Sequence, residues 1–209
     1  MAVLDGMQFT LTNLFQFLSF ISPFLLGFFL VLSSIFNQDL KGFIYLAGVL
    51  IATIINILLL NIIRSESKPN RSPICDLVNF NIFNIGGTFD SPSLSISFIT
   101  FTMVYLLLPM IYNKQMNWIV LVFLFLLYFI DAFTSVINEC TQIPGIFVGT
   151  ITGVILGSLW YSIINVTGNT KLLYFDEFVS NNVICSRPSK QTFKCAVYKN
   201  GELIKNNIV

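Results

Sequence analysis

The chain has 209 residues, a mean hydropathy of +0.80, 22 Phe and only 10% charged residues, with a net charge of +1. Soluble domains carry about 25% charged residues, so an ordinary soluble domain is excluded, and so small a net charge leaves no footprint for nucleic acid. The chain contains no histidine, the one side chain whose ordinary titration spans neutral pH and the commonest metal ligand.

Apolar residues fall into five blocks: Leu14–Phe36, Gly42–Ile63, Ser97–Tyr112, Trp118–Ile137 and Ile143–Val166. Each approaches the ~20 residues that a helix needs to cross a bilayer core. The third is short, and Pro92–Ile96 extends it upstream. No basic segment precedes the first block, and it is too long for a signal-peptide core, so it is expected to anchor. The longest loop, Arg64–Ile96, separates blocks two and three; its apolar centre, Leu77–Ile85, fits either a short interfacial helix or a packed loop. Gly86-Gly87 ends that stretch.

After Val166 the chain becomes polar. Thr192–Tyr198, then Asn200-Gly201, then Glu202–Ile204 predicts a β-hairpin with a type I′ turn. The expected fold is therefore an all-α, polytopic membrane helical bundle over residues 1–166. A small C-terminal extramembrane tail with the hairpin follows over residues 167–209. Five spans place the N-terminus, the long loop and the Asn138–Gln142 turn on one side. Lys and Arg divide three to eight in favour of the other side, counting Arg64, Lys68 and Arg71 against the rest of the 11. The positive-inside rule then assigns the tail to the cytoplasm. Cys75, Cys140, Cys185 and Cys195 lack metal-type spacing, and Cys185 and Cys195 are expected to be thiols in that compartment.

Three short segments lie at membrane edges on the non-cytoplasmic side. They are Arg64-Ser-Glu-Ser-Lys-Pro-Asn-Arg71-Ser72-Pro73, then Pro92-Ser93-Leu94-Ser95, then Ser135-Val136 with Gln142, Pro144 and Ile146. Together, over residues 42–166, they resemble the type 2 phosphatidic acid phosphatase superfamily, the lipid phosphate and polyprenyl or dolichyl diphosphate phosphatases. That family carries Lys-x6-Arg-Pro, then Pro-Ser-Gly-His, then Ser-Arg-x5-His-x3-Asp. Here Arg64 stands at the Lys position and Arg71 at the Arg; Pro92 and Ser93 match, but Leu94 and Ser95 replace Gly and His. Ser135 matches, while Val136, Gln142 and Ile146 replace the Arg, the nucleophilic His and the Asp. One of the family's customary six spans is missing.

The resemblance implies a phosphate site at Arg64, Arg71 and Ser93, with Lys68, Ser95, Asp131, Ser135 and Gln142 as further pocket residues. It also implies a mechanism in which one imidazole attacks phosphorus and a second protonates the leaving alkoxide. Gln142 and Ser95 supply neither function, and Val136 removes a phosphate clamp. No catalytic residue, metal or cofactor is therefore assigned. Arg forks still match phosphate oxygens, although the same cations also suit lipid headgroups generally.

Asp131 lies inside span four, one turn before Ser135 on the same face. An intramembrane carboxyl group is expensive and is expected to face the bundle, here either pairing with Arg64 or Arg71 or protonated and hydrogen-bonded to a neighbouring helix. Gly145, Gly149, Gly153 and Gly157 form a four-residue series, which lets helix backbones approach closely in lipid; packing within the chain is favoured over dimerisation. Asn70-Arg71-Ser72 and Asn165-Val166-Thr167 are sequons, and only the first falls on the lumenal side of this topology.

The functional expectation is an integral membrane pseudo-phosphatase, a lipid-phosphate-binding or structural subunit of an endomembrane, organelle or viral membrane. Its expected partners are membrane lipid, a lipid phosphate or prenyl diphosphate, and a protein at the tail, with no nucleic acid. The alternative is a divergent lipid phosphate or polyprenyl diphosphate phosphatase using Ser93, Ser95 or Cys140 as nucleophile. A transporter gains little support, since Asp131 is the sole clear intramembrane charge.

Overall fold

The structure, a computed structural model, describes residues 11–66, 72, 75, 89–175, 194–199 and 202–208. The apolar centre of the long loop, Lys68, Asn70, Arg71 and Cys185 lie outside the described residues. Five helices are each long and apolar enough to cross a membrane: α1 (Leu11–Phe36), α2 (Lys41–Ile63), α3 (Leu94–Tyr112), α4 (Trp118–Ile137) and α5 (Ile143–Val166). The chain is accordingly a multi-pass helical membrane protein. The third helix begins at Leu94, so the Pro92–Ile96 extension is helical only in its last part.

The bundle is built around α3. Ile96, Ile99, Thr100, Phe101, Thr102, Val104, Tyr105 and Leu106 are all buried, which covers every face of its first three turns. By contrast α4 buries only Leu124, Asp131 and Ser135, a single stripe, and leaves large apolar side chains exposed on its other faces. That pattern suits a peripheral helix with lipid around most of its circumference. On α2 the buried positions Tyr45, Val49, Ala52, Asn56 and Leu60 follow a helical stripe toward α3. Tyr45, Phe101 and Tyr105 form the aromatic centre, and the hydroxyls of Tyr45 and Thr102 are 2.7 Å apart.

The tightest packing joins α3 to α5. A Cβ added at Gly149 would stand 2.8 Å from the Ser93 carbonyl oxygen, one at Gly153 2.6 Å from that of Ser97, and one at Gly157 2.8 Å from that of Phe101. Successive carbonyls along one face of α3 thus lie against successive glycines of α5. The glycine series packs within the chain, as the spacing predicts.

The turns are fastened by side chains. Between α1 and α2, Ser34 Oγ lies 2.5 Å from Asp39 Oδ1 and accepts the Gly42 N–H at 2.8 Å. After α2, Arg64 takes the left-handed conformation at φ 47° and donates its N–H to Leu60 O. Strand β1 (Ser65–Glu66) pairs antiparallel with β2 (Phe89–Ser91), which closes the base of the long loop.

The compact helical unit continues past the end of the fifth span, to Asp176. Leu173 is buried in the core, Tyr174 OH donates to Leu30 O at 2.7 Å, and Asn113 Nδ2 donates to Phe175 O at 2.9 Å. Burial, with the Asp39 carboxylate nearby, pushes the Tyr174 phenol above its ordinary range. These contacts extend the unit beyond the boundary at residue 166 drawn from hydropathy. Residues 177–209 form a second unit with strands β3 (Lys194–Lys199) and β4 (Glu202–Ile208) paired antiparallel. The hairpin expected around Asn200-Gly201 is present with a longer second strand, and the turn residues themselves lie outside the described residues.

Because the atoms that meet Gly153 are backbone or β-carbon, they cannot swing aside. Gly153→Ala is expected to destabilise the bundle by ~1–3 kcal/mol through overpacking. Gly27→Ala, whose added carbon would meet only the Phe98 ring edge at 3.0 Å, should cost less. Thermal unfolding of the two variants in the same detergent checks the order.

Candidate functional site

The polar residues of the second and third sequence segments meet at one end of the bundle. Ser91, Pro92 and Ser93 are buried although they are not helical. Ser93 N–H donates to Gly145 O at 3.2 Å, and Gly145 N–H in turn donates to Gln142 O. Ser93 O lies beside Gly149, six residues into α5 and so about 9 Å along its axis at 1.5 Å per residue. Helix α3 therefore starts below the level at which α5 starts. Its entering backbone is covered by protein, the condition under which non-helical chain is tolerated at membrane depth.

Ser93 occupies the N-cap position but makes no side-chain cap for the first turn of α3. Against that turn lies Asp131, 0% exposed, with Ser95 the side chain that interacts with its carboxyl group. The approach stops short of a formed hydrogen bond. Both carboxyl oxygens of Asp131 and the Ser95 hydroxyl lack a partner. Ser135 is buried one turn further along α4. Nearby, Ser19 and Thr134 hydroxyls pair at 2.6 Å, and those of Ser97 and Thr152 at 3.3 Å.

The expected ion pair is not made with Arg64. Arg64 is exposed at the end of α2 and donates Nε–H to Asn61 O at 3.1 Å, so its left-handed cap directs it away from the interior. Arg71, the other expected partner, lies outside the described residues, as does Lys68. Among the described residues no cation reaches Asp131. The dipole at a helix N-terminus favours a carboxylate by ~1 kcal/mol. Burying one without a partner costs several kcal/mol, so the dipole alone does not offset it.

Of the other residues expected at the site, Ser95 approaches Asp131, Ser135 is buried one turn further along α4, and Ser93 is the N-cap of α3. Gln142 is exposed at the N-cap of α5 and makes no side-chain cap. Val136, at the position where the resemblance places an Arg, is 37% exposed and points off the bundle. Among the described residues no group of His, Cys, Asp and Glu is suited to hold a metal ion.

One feature absent from the sequence reading is a disulfide between Cys75 and Cys140, with a Cα–Cα distance of 5.4 Å. Ser72 N–H also donates to Asn138 O, so the long loop is tied to the α4–α5 turn at two points. The signal was available, since the span count places both cysteines on one side of the membrane. No family model matches the chain, and no curated protein or solved structure is significantly similar to it.

The bridge closes a loop with a sequence separation of 65. On the chain-entropy model such a loop contributes about 4 kcal/mol. Cys75→Ser is expected to lower thermal stability and to free one thiol at Cys140. Mass spectrometry after alkylation without reductant should find Cys140 unmodified in the parent protein and modified in the variant.

Proposed function

We propose that this protein is a non-catalytic multi-pass membrane component that contacts phosphate-bearing lipid headgroups at its loop-side rim. The single observation that carries the reading is the closed junction of α3 and α5. The Ser93 N–H is engaged by Gly145, and Ser93 O stands where Gly149 admits no further atom. A phosphate has no room at the position that the sequence resemblance assigns to it. Asp131 discourages one further: ionised it repels an anion, and protonated it offers a single hydrogen.

The cation available for phosphate is instead Arg64, exposed where α2 leaves the membrane, with Lys68 and Arg71 following in the sequence. Arg binds phosphate oxygens through a planar fork, which suits headgroup contact at this level. The absence of histidine from the whole chain removes the family's nucleophile and its acid. Under this reading the ancestry remains that of the lipid phosphatases, with the interior of the site rebuilt as packing. The Cys75–Cys140 bridge supports a loop side in an oxidising compartment, and the excess of Lys and Arg on the other side agrees with a cytoplasmic tail.

Purified protein given phosphatidic acid or a prenyl diphosphate is expected to release no phosphate. Release above that of a vector control would establish the phosphatase alternative instead. Vesicles containing phosphatidic acid should bind the protein about tenfold less tightly after Arg64→Ala with Arg71→Ala, matching the ~1.4 kcal/mol lower bound for a lost charged hydrogen bond. Unchanged binding would leave scaffolding alone as the role.

A further inference from the structure

Among the described residues, the interior of the bundle holds one acid and no basic side chain to neutralise it. Helices α1, α3 and α5 contain no Asp, Glu, Lys or Arg, and in α4 Asp131 is the only such residue. The elements packed against α4 are chiefly α3 and α1, and α5 reaches it through the Tyr128 and Thr150 hydroxyls, 2.8 Å apart, with no charged side chain on α5. From α3 the group facing Asp131 is Ser95, and the nearest titratable side chain on that helix, Tyr105, lies ten residues beyond Ser95, about 15 Å away. From α1 come uncharged groups only, with Ser19 paired to Thr134. At that end of the bundle Arg64 is turned outward, Glu139 lies in the α4–α5 turn, and Glu66 and Asp90 lie on the paired strands β1 and β2.

We propose that Asp131 is a proton-binding site within the membrane, with Ser95 as its hydrogen-bonding partner. The reaction is the reversible addition of one proton to the carboxylate, giving the neutral acid. A hydroxyl serves both states, because it donates to a carboxylate and accepts from a carboxylic acid. Three orphaned oxygen atoms, two on Asp131 and one on Ser95, are available. That is too few for a divalent cation, which takes six or more oxygens or a shell of its own waters. A proton needs only one acceptor and one partner. The site lies toward the end of the bundle that carries the long loop, where Ser93 is also buried. This inference is independent of the lipid contact at Arg64, so either can fail while the other stands.

Infrared spectroscopy of the full chain in lipid vesicles tests it. At neutral pH the surface acids are ionised, so a carboxylic-acid C=O stretch should be present, move on deuterium exchange, and vanish in Asp131→Asn. Ser95→Ala, which removes the partner while leaving the acid, should shift that band to higher frequency. Identical spectra for the parent and Asp131→Asn in this region would overturn the proposal. Should Asp131→Asn fail to assemble, a parent spectrum with no acid band at neutral pH, or a band unmoved by Ser95→Ala, would overturn it equally.

Discussion

The contact on which the rest of this protein depends is between two helix backbones. Three carbonyls of α3, at Ser93, Ser97 and Phe101, lie against three glycines of α5 with no side chain between them. In lipid there is no hydrophobic driving force between helices, since the acyl chains are as apolar as leucine. Close approach of small residues supplies dispersion contacts that lipid cannot, and the spacing of four keeps the glycines on one face. Removing side chains from α5 on that face is what allows α3 to be enclosed on all sides.

From that contact the geometry of the loop-side end follows. Docking Ser93 beside Gly149 starts α3 about 9 Å below the level where α5 begins. The chain must then enter through Phe89–Ser93 as non-helical backbone, and β1, β2 and the first turn of α5 cover it. The first turn of α3 meets Asp131 at this depth, away from water and from any basic side chain of the packed spans. The disulfide and the Ser72–Asn138 hydrogen bond then tie the long loop across the α4–α5 turn. Each of these features is a consequence of where one helix is allowed to begin.

Much of this was legible in the residues. Long apolar blocks located the five helices to within a few residues, because a span is defined by composition over about 20 positions rather than by any single residue. The glycine series stated its own partner type, and Asp131 could face only inward. The hairpin was readable from alternation and Asn200-Gly201. What stayed hidden depended on three dimensions. Hydropathy does not register that α3 is the enclosed helix, since its sequence is less apolar than that of α4 at the periphery. Nor does it see that Thr170–Phe175 folds back onto the bundle, because those contacts are one buried leucine and a few hydrogen bonds. Arg64 was expected to turn inward because the family resemblance puts it in the phosphate site, but its left-handed cap sends it out. The Cys75–Cys140 pair required joining the topology to the cysteine positions.

Cross-linking α3 to α5 tests the account most directly. The Ser97 and Thr152 hydroxyls are 3.3 Å apart, so cysteines at both positions lie within reach of a disulfide. Mild oxidation of Ser97→Cys/Thr152→Cys in membranes is expected to join the two helices within one chain, as read by mass spectrometry of the linked peptides. Failure of that link, with Ser97→Cys/Leu156→Cys joining instead, would show a different register and contradict the backbone contact.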